Sequence, residues 1–96
     1  MKLKSDEFLI LAVLREGELH GNGIMQAVYQ MTNGGLMLRS AGLYGVLRGL
    51  TNKGLIEAVK RPSERPDRPG HRTYYQISVL GRKLVQAEAD ARANGR

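Results

Sequence analysis

Ninety-six residues, 42% of them apolar, suffice for one domain around one modest core, and with a single Phe and no Trp that core rests on Leu, Ile, Val and Met. The absence of cysteine excludes a disulfide framework and thiolate chemistry, and the longest apolar run, Phe8 to Leu14, is too short to cross a bilayer. A formal charge of +6 and a pI near 10.1 favour a polyanionic partner, nucleic acid before membrane, over a merely soluble basic protein.

Ser5, followed by Asp6 and Glu7, reads as the N-cap and acidic first turn of a helix over about 6–15. The acidic pair before the apolar run, with no cleavage site after it, does not fit a signal peptide, so the expected location is cytoplasmic. Apolar residues go nearly all round this helix, which predicts burial on most sides, in part by a second subunit. Gly17 ends it. His20, beside Gly21, is read as a turn or capping residue leading into a second helix over about 23–31, whose inward stripe is Ile24, Ala27, Val28 and Met31. Gly34 and Gly35 form its C-cap and turn, and Leu36 to Leu38 is expected to be a short strand.

Ser40 reads as the N-cap of a third helix that Gly54 stops. Its wheel groups Leu43, Val46, Leu47 and Leu50 on one face and Ala41, Gly45, Arg48 and Asn52 on the other, with Tyr44 and Gly49 flanking. Strands are expected over 55–60 and 73–77. Between them, 61–71 holds all three prolines, which lack the N–H a ladder needs, so this stretch reads as a loop. A last helix runs over about 79–93, with Leu80, Leu84, Ala87 and Ala91 along one face.

This order gives a mainly α fold with a small β-hairpin: a winged helix-turn-helix over 1–78 and a C-terminal helix over 79–93, in one domain of 1–96. In such a fold the third helix enters the major groove. Arg48 is its one long mid-helix cation on the outer face and suits a bidentate contact to guanine, while Ser40 and Tyr44 lie near the N-terminal turn, where phosphate or bases are met. The glycines at 45 and 49 suggest close backbone approach with modest direct readout. The basic loop supplies Arg61, Arg65, Arg68 and Arg72 to phosphate or a flanking minor groove, and Arg39 and Lys53 bracket the helix as further phosphate contacts. No catalytic residue, metal ligand set or cofactor motif is recognised: His20 and His71 have no Cys or Ser–Asp companion at a known spacing, and Gly21-Asn22-Gly23 is too short to cradle phosphate.

At these residues the chain resembles the PadR-like family of winged-helix transcriptional regulators. The matching pieces are Leu19-His20-Gly21-Asn22-Gly23-Ile24, Ser40-Ala41-Gly42-Leu43-Tyr44, Leu50 through Ile56, Arg72-Thr73-Tyr74-Tyr75-Gln76-Ile77 and Leu80-Gly81. The resemblance implies a homodimeric repressor on a palindromic double-stranded DNA operator, often released by a small aromatic or cationic effector, with dimers formed through the first and last helices. Here that points to Phe8 and Leu11 with Leu80, Leu84, Ala87 and Ala91. Asn22 stands where the family usually has an aromatic residue, Gly45 where a bulkier helix former is common, and the chain ends after one C-terminal helix. Two rival readings keep the fold: a protein-interaction module, which would not need a basic wing, and a ligand-sensing module, marked by a planar cation between the first and last helices.

Overall fold

The computed structural model describes residues 2–63, 67 and 70–94. The element order is α1 (Ser5–Leu14), β1 (Leu19–His20), α2 (Gly21–Met31), α3 (Ser40–Asn52), β2 (Ile56–Pro62), β3 (His71–Ile77) and α4 (Val79–Asn94). The strands form one antiparallel sheet in the order β1-β3-β2. The helices pack around an aliphatic core of Ile10, Leu11, Leu14, Ile24, Val28, Leu43, Leu47, Leu50, Leu55, Ile56 and Val85.

Helix boundaries follow local hydrogen-bond demand. Ser5 and Ser40 are first helical residues rather than N-caps; Lys4 and Arg39 hold the cap positions. At α1 the Glu7 carboxylate reaches back to accept from the Lys4 N–H at 2.9 Å, satisfying a donor that the helix itself leaves free. Asn33, with φ +53°, takes the left-handed position after α2, ahead of Gly34. The Gly34 N–H bonds the Tyr29 carbonyl at 2.7 Å and the Asn33 N–H bonds that of Gln30 at 3.1 Å, a Schellman closure. Gly54, with φ +75°, ends α3 the same way, through Leu55 N–H to Leu50 and Gly54 N–H to Thr51.

Three expectations change. The segment 36–38 is not a strand: the Leu36 N–H is taken by the Thr32 hydroxyl at 3.0 Å, and Leu36 and Leu38 pack on the core from a coil. The third strand is Leu19–His20, paired with Tyr75 and Tyr74. The hairpin is longer than expected, with β2 reaching Pro62 and β3 starting at His71, so Arg61 and Arg72 are cross-strand partners. Pro62 is tolerated because β2 is an edge strand and the proline sits at its end. Met31, placed on the inward stripe of α2, is instead exposed near the helix's frayed end.

Ser78 fixes the start of α4. Its hydroxyl donates to the Gly54 carbonyl at 2.6 Å and accepts from the Gly81 N–H at 3.0 Å, while its own N–H bonds the Leu55 carbonyl at 3.0 Å. The residues of α4 that face the core are Gly81 and Val85, with Leu84 partly buried. Leu80 is 53% exposed, and Ala87 and Ala91 are exposed too.

Candidate nucleic-acid interface

α3 buries Leu43, Leu47 and Leu50 and turns Ser40, Ala41, Tyr44, Gly45 and Arg48 to solvent, as its wheel predicts. A Cβ added at Gly42, Gly45 or Gly49 would meet nothing within 4 Å, so no packing inside the protomer requires these glycines. They leave a bare backbone strip along the exposed side of the helix, beside a shallow groove shared with Lys4, Asp6 and Glu7 of the α1 start.

Tyr44 stands 46% exposed at the junction of two clefts. The larger, of about 590 Å³, is lined by His20, Gly21, Asn22, Tyr44, Arg72, Thr73 and Tyr75. The smaller, of about 260 Å³, is lined by Tyr44, Arg48, Thr51, Asn52, Ala58 and Tyr75. Tyr44 and Tyr75 belong to both, so the clefts form one polar strip from mid-α3 across the sheet to the start of α2. Strand parity explains who faces it. Ile77 points to the core, and its period-two mates Tyr75 and Thr73 share its side of β3, with Ala58 opposite Tyr75 on β2. Because β1 is only two residues long, β3 loses that neighbour beyond Tyr74, and the cleft opens there beside the first residues of α2.

The cleft walls are fixed locally. The Tyr44 hydroxyl lies where a Cβ at residue 21 would come within 2.5 Å, so Gly21 makes room for the ring tip. His20 Nδ1 accepts from the Gly23 N–H at 3.2 Å and caps α2. Its ring meets Tyr74 edge-on, at 5.4 Å and 79°. Burial, and secondarily the nearby Arg72 charge, lower the His20 pKa, which keeps the imidazole neutral and its Nδ1 free to accept. Burial, then Tyr44, raise the Tyr75 pKa, so its phenol stays a donor.

The expected cations divide into two groups. Arg39, Arg48 and Arg72 carry no ion pair, and Arg48 and Arg72 line the two clefts. Lys53 is committed elsewhere: its ammonium meets Glu7 Oε2 at 2.9 Å, tying the end of α3 to α1. Burial opposes the Glu7 charge, but the Lys4 N–H and the Lys53 ammonium outweigh it and lower the Glu7 pKa. Arg61 makes a bidentate pair with Glu18, through Nε to Oε2 and Nη2 to Oε1, the latter at 2.8 Å. Lys53 and Arg61 are therefore corrected from free phosphate ligands to internally paired cations. Arg65 and Arg68 lie outside the described residues.

The residues expected at a dimer interface also divide. Leu11 is fully buried in the protomer's own core, because the all-round apolar pattern of α1 is consumed by α2, α4 and the sheet, and it presents nothing to a partner. Phe8 is half-buried, with the Arg92 guanidinium 4.0 Å above its ring. Leu80, Ala87 and Ala91 face outward along α4. The groove of about 570 Å³ between α1 and α4 is lined by Arg15, Arg82, Lys83, Gln86, Ala87 and Asp90, a cationic wall that disfavours a planar cation there. Among the described residues no helix is long and apolar enough to cross a membrane, and no group of three His, Asp or Glu is placed to hold a metal.

Sequence reasoning missed Thr73, Tyr75, Asn22 and Glu18. Counting in twos back from the core residue Ile77 picks out Tyr75 and Thr73; the two-residue β1 that places Glu18 and Asn22 is too short to leave a pattern.

Comparison with known proteins follows the same lines. The family model described as the transcriptional regulator PadR-like family matches residues 10–87. A transcriptional regulator from Clostridium thermocellum is 25% identical, with a TM-score of 0.73 over 88% of this chain and 78% of that one. Bacillus subtilis PadR, solved in complex with operator DNA, shares the fold at 20% identity, with a TM-score of 0.77 over 90% of this chain and 47% of that one. An uncharacterized 37.1 kDa protein of a Streptomyces fradiae transposon is 34% identical over the whole of this chain, which spans 26% of that protein's length.

Proposed function

The chain belongs to the PadR-like family of transcriptional regulators, a family of DNA-binding proteins rather than enzymes, and from that premise we propose that two copies of it bind an operator as a cytoplasmic repressor. The observation that carries this reading is the polar strip joining Arg48 on α3, through Tyr44 and Tyr75, to Arg72 on β3, with both arginines free of internal ion pairs. In this reading Arg48 meets a base edge in the major groove, and the bare strip at Gly42, Gly45 and Gly49 lets the backbone approach the duplex. Arg39, Ser40, Tyr44 and Arg72 meet phosphate on either side. The outward stripe of Leu80, Leu84, Ala87 and Ala91, with Phe8, supports pairing of two subunits through α4 and α1. Two α3 helices would then enter successive major grooves about 34–36 Å apart.

Replacement of the two arginines separates their roles. Arg48→Ala should cost about 1–3 kcal/mol against the operator and flatten its preference over a scrambled duplex. Arg72→Ala should weaken both duplexes alike and make the dependence of log K on log[salt] shallower by about 0.9. Uniform loss from Arg48→Ala would remove it from base recognition.

A further inference from the structure

Arg61 and Arg72 stand directly opposite each other at the root of the hairpin, on the same face of the sheet. Like charges in that position repel and compete for the same space. Glu18 resolves the conflict. It lies just before β1, at the far side of the sheet from β2, on the face shared by His20, Tyr74, Val59 and Arg61. Both of its carboxylate oxygens accept from Arg61, whose side chain must cross the sheet near Tyr74 to reach them. Arg72 has no such partner and lines the cleft with Tyr44, Thr73 and Tyr75.

We propose that Glu18 is a positioning residue that sorts the two wing-root arginines: it holds Arg61 across the outer face of the sheet, away from a bound duplex, and so leaves Arg72 as the single wing-root cation offered to phosphate. The inference rests on the DNA-binding reading and adds to it a determinant of specificity. A carboxylate occupying both donors of a guanidinium fork is the geometric equivalent of the phosphate that would otherwise take them. While the pair stands, Arg61 adds nothing to sequence-independent attraction. Once Glu18 loses its charge, Arg61 is released and repelled by Arg72, and phosphate is the anion left for it. Non-specific affinity then rises while base recognition through α3 does not.

The test is a salt titration of Glu18→Gln, Arg61→Ala, Arg72→Ala and the Glu18→Gln/Arg61→Ala double variant on operator and scrambled duplexes. All four sites are on the surface or half-buried, and thermal melts check that each variant is folded. Glu18→Gln should bind the scrambled duplex more tightly, with a slope steeper by about 0.9, the value of one added phosphate contact. Arg61→Ala should leave the slope unchanged, Arg72→Ala should make it shallower by about 0.9, and the double variant should return to the parent slope. A shallower slope for Arg61→Ala, or no change for Glu18→Gln, would overturn the proposal while leaving the DNA-binding reading intact. Failure of the parent protein to bind either duplex would take both down.

Discussion

Gly81 is the position where one added methyl group should matter most. A Cβ there would lie 2.2 Å from the Leu55 carbonyl oxygen and 2.8 Å from Ile77 Cγ1. That carbonyl is held in place by the Ser78 N–H, so it cannot swing aside without breaking the bond that seats α4 on the sheet. Gly81→Ala should therefore destabilise the fold by about 2 kcal/mol or more, lowering the melting midpoint by roughly 10 °C. Gly45→Ala is the control: with nothing within 4 Å of the new Cβ, it should raise stability by about 0.5–1 kcal/mol through helix propensity. Paired calorimetric melts decide between these signs. Similar melting points for the two variants would mean that α4 can ride up over the sheet. The two glycines look alike in the sequence, yet one is demanded by packing and the other leaves open surface that the DNA-binding reading uses.

At the scale of elements, α2 depends on a titratable cap. His20 must be neutral for Nδ1 to accept from Gly23, and its pKa is lowered by burial and then by Arg72. The unfolded chain therefore takes up a proton near the ordinary value of 6.5 more readily than the folded one. The cap's stabilisation is present above that pH and is lost as pH falls below it. Glu7 and Glu18, both with lowered pKa, add a second loss as pH falls below about 4.5. Unfolding titrations should show two steps down on acidification. His20→Asn, which keeps a capping acceptor without the titration, should abolish the upper step alone. An unchanged upper step in that variant would place the titration elsewhere. The same elements show what the sequence made legible. The apolar wheel of α3, the Gly54 stop, the capping role of His20 and the helix–strand–loop–strand order were readable because each depends on residues close in sequence. β1 was not, because two residues carry no periodicity and their partners lie more than fifty positions away. The hairpin was read too short because Pro62 argues against a strand, while its tolerance depends on β2 being at an edge. The pairing of Lys53 with Glu7 and of Arg61 with Glu18 is tertiary, so cations that look equivalent in the sequence become structural or free only after folding.

At the scale of the whole molecule, the excess charge of +6 sets attraction to DNA in general, and its arrangement sets selectivity. Internal pairing withdraws Lys53 and Arg61, leaving Arg48 and Arg72 along the strip between α3 and β3. With Arg39, and with the matching set of a second subunit, the contacts are few enough that base recognition has to supply a large share of operator preference. With about 6–10 phosphate contacts in a dimer, log K should fall against log[salt] with a slope between about −5 and −9. The most direct test is a fluorescence anisotropy titration of labelled duplex from just upstream of this protein's own gene, beside a scrambled duplex, at low and moderate salt. The account predicts tighter binding to the upstream duplex, saturation at two chains per duplex and a slope in that range. Equal binding to both duplexes that vanishes with salt would contradict it, reducing the interaction to non-specific attraction by a basic surface.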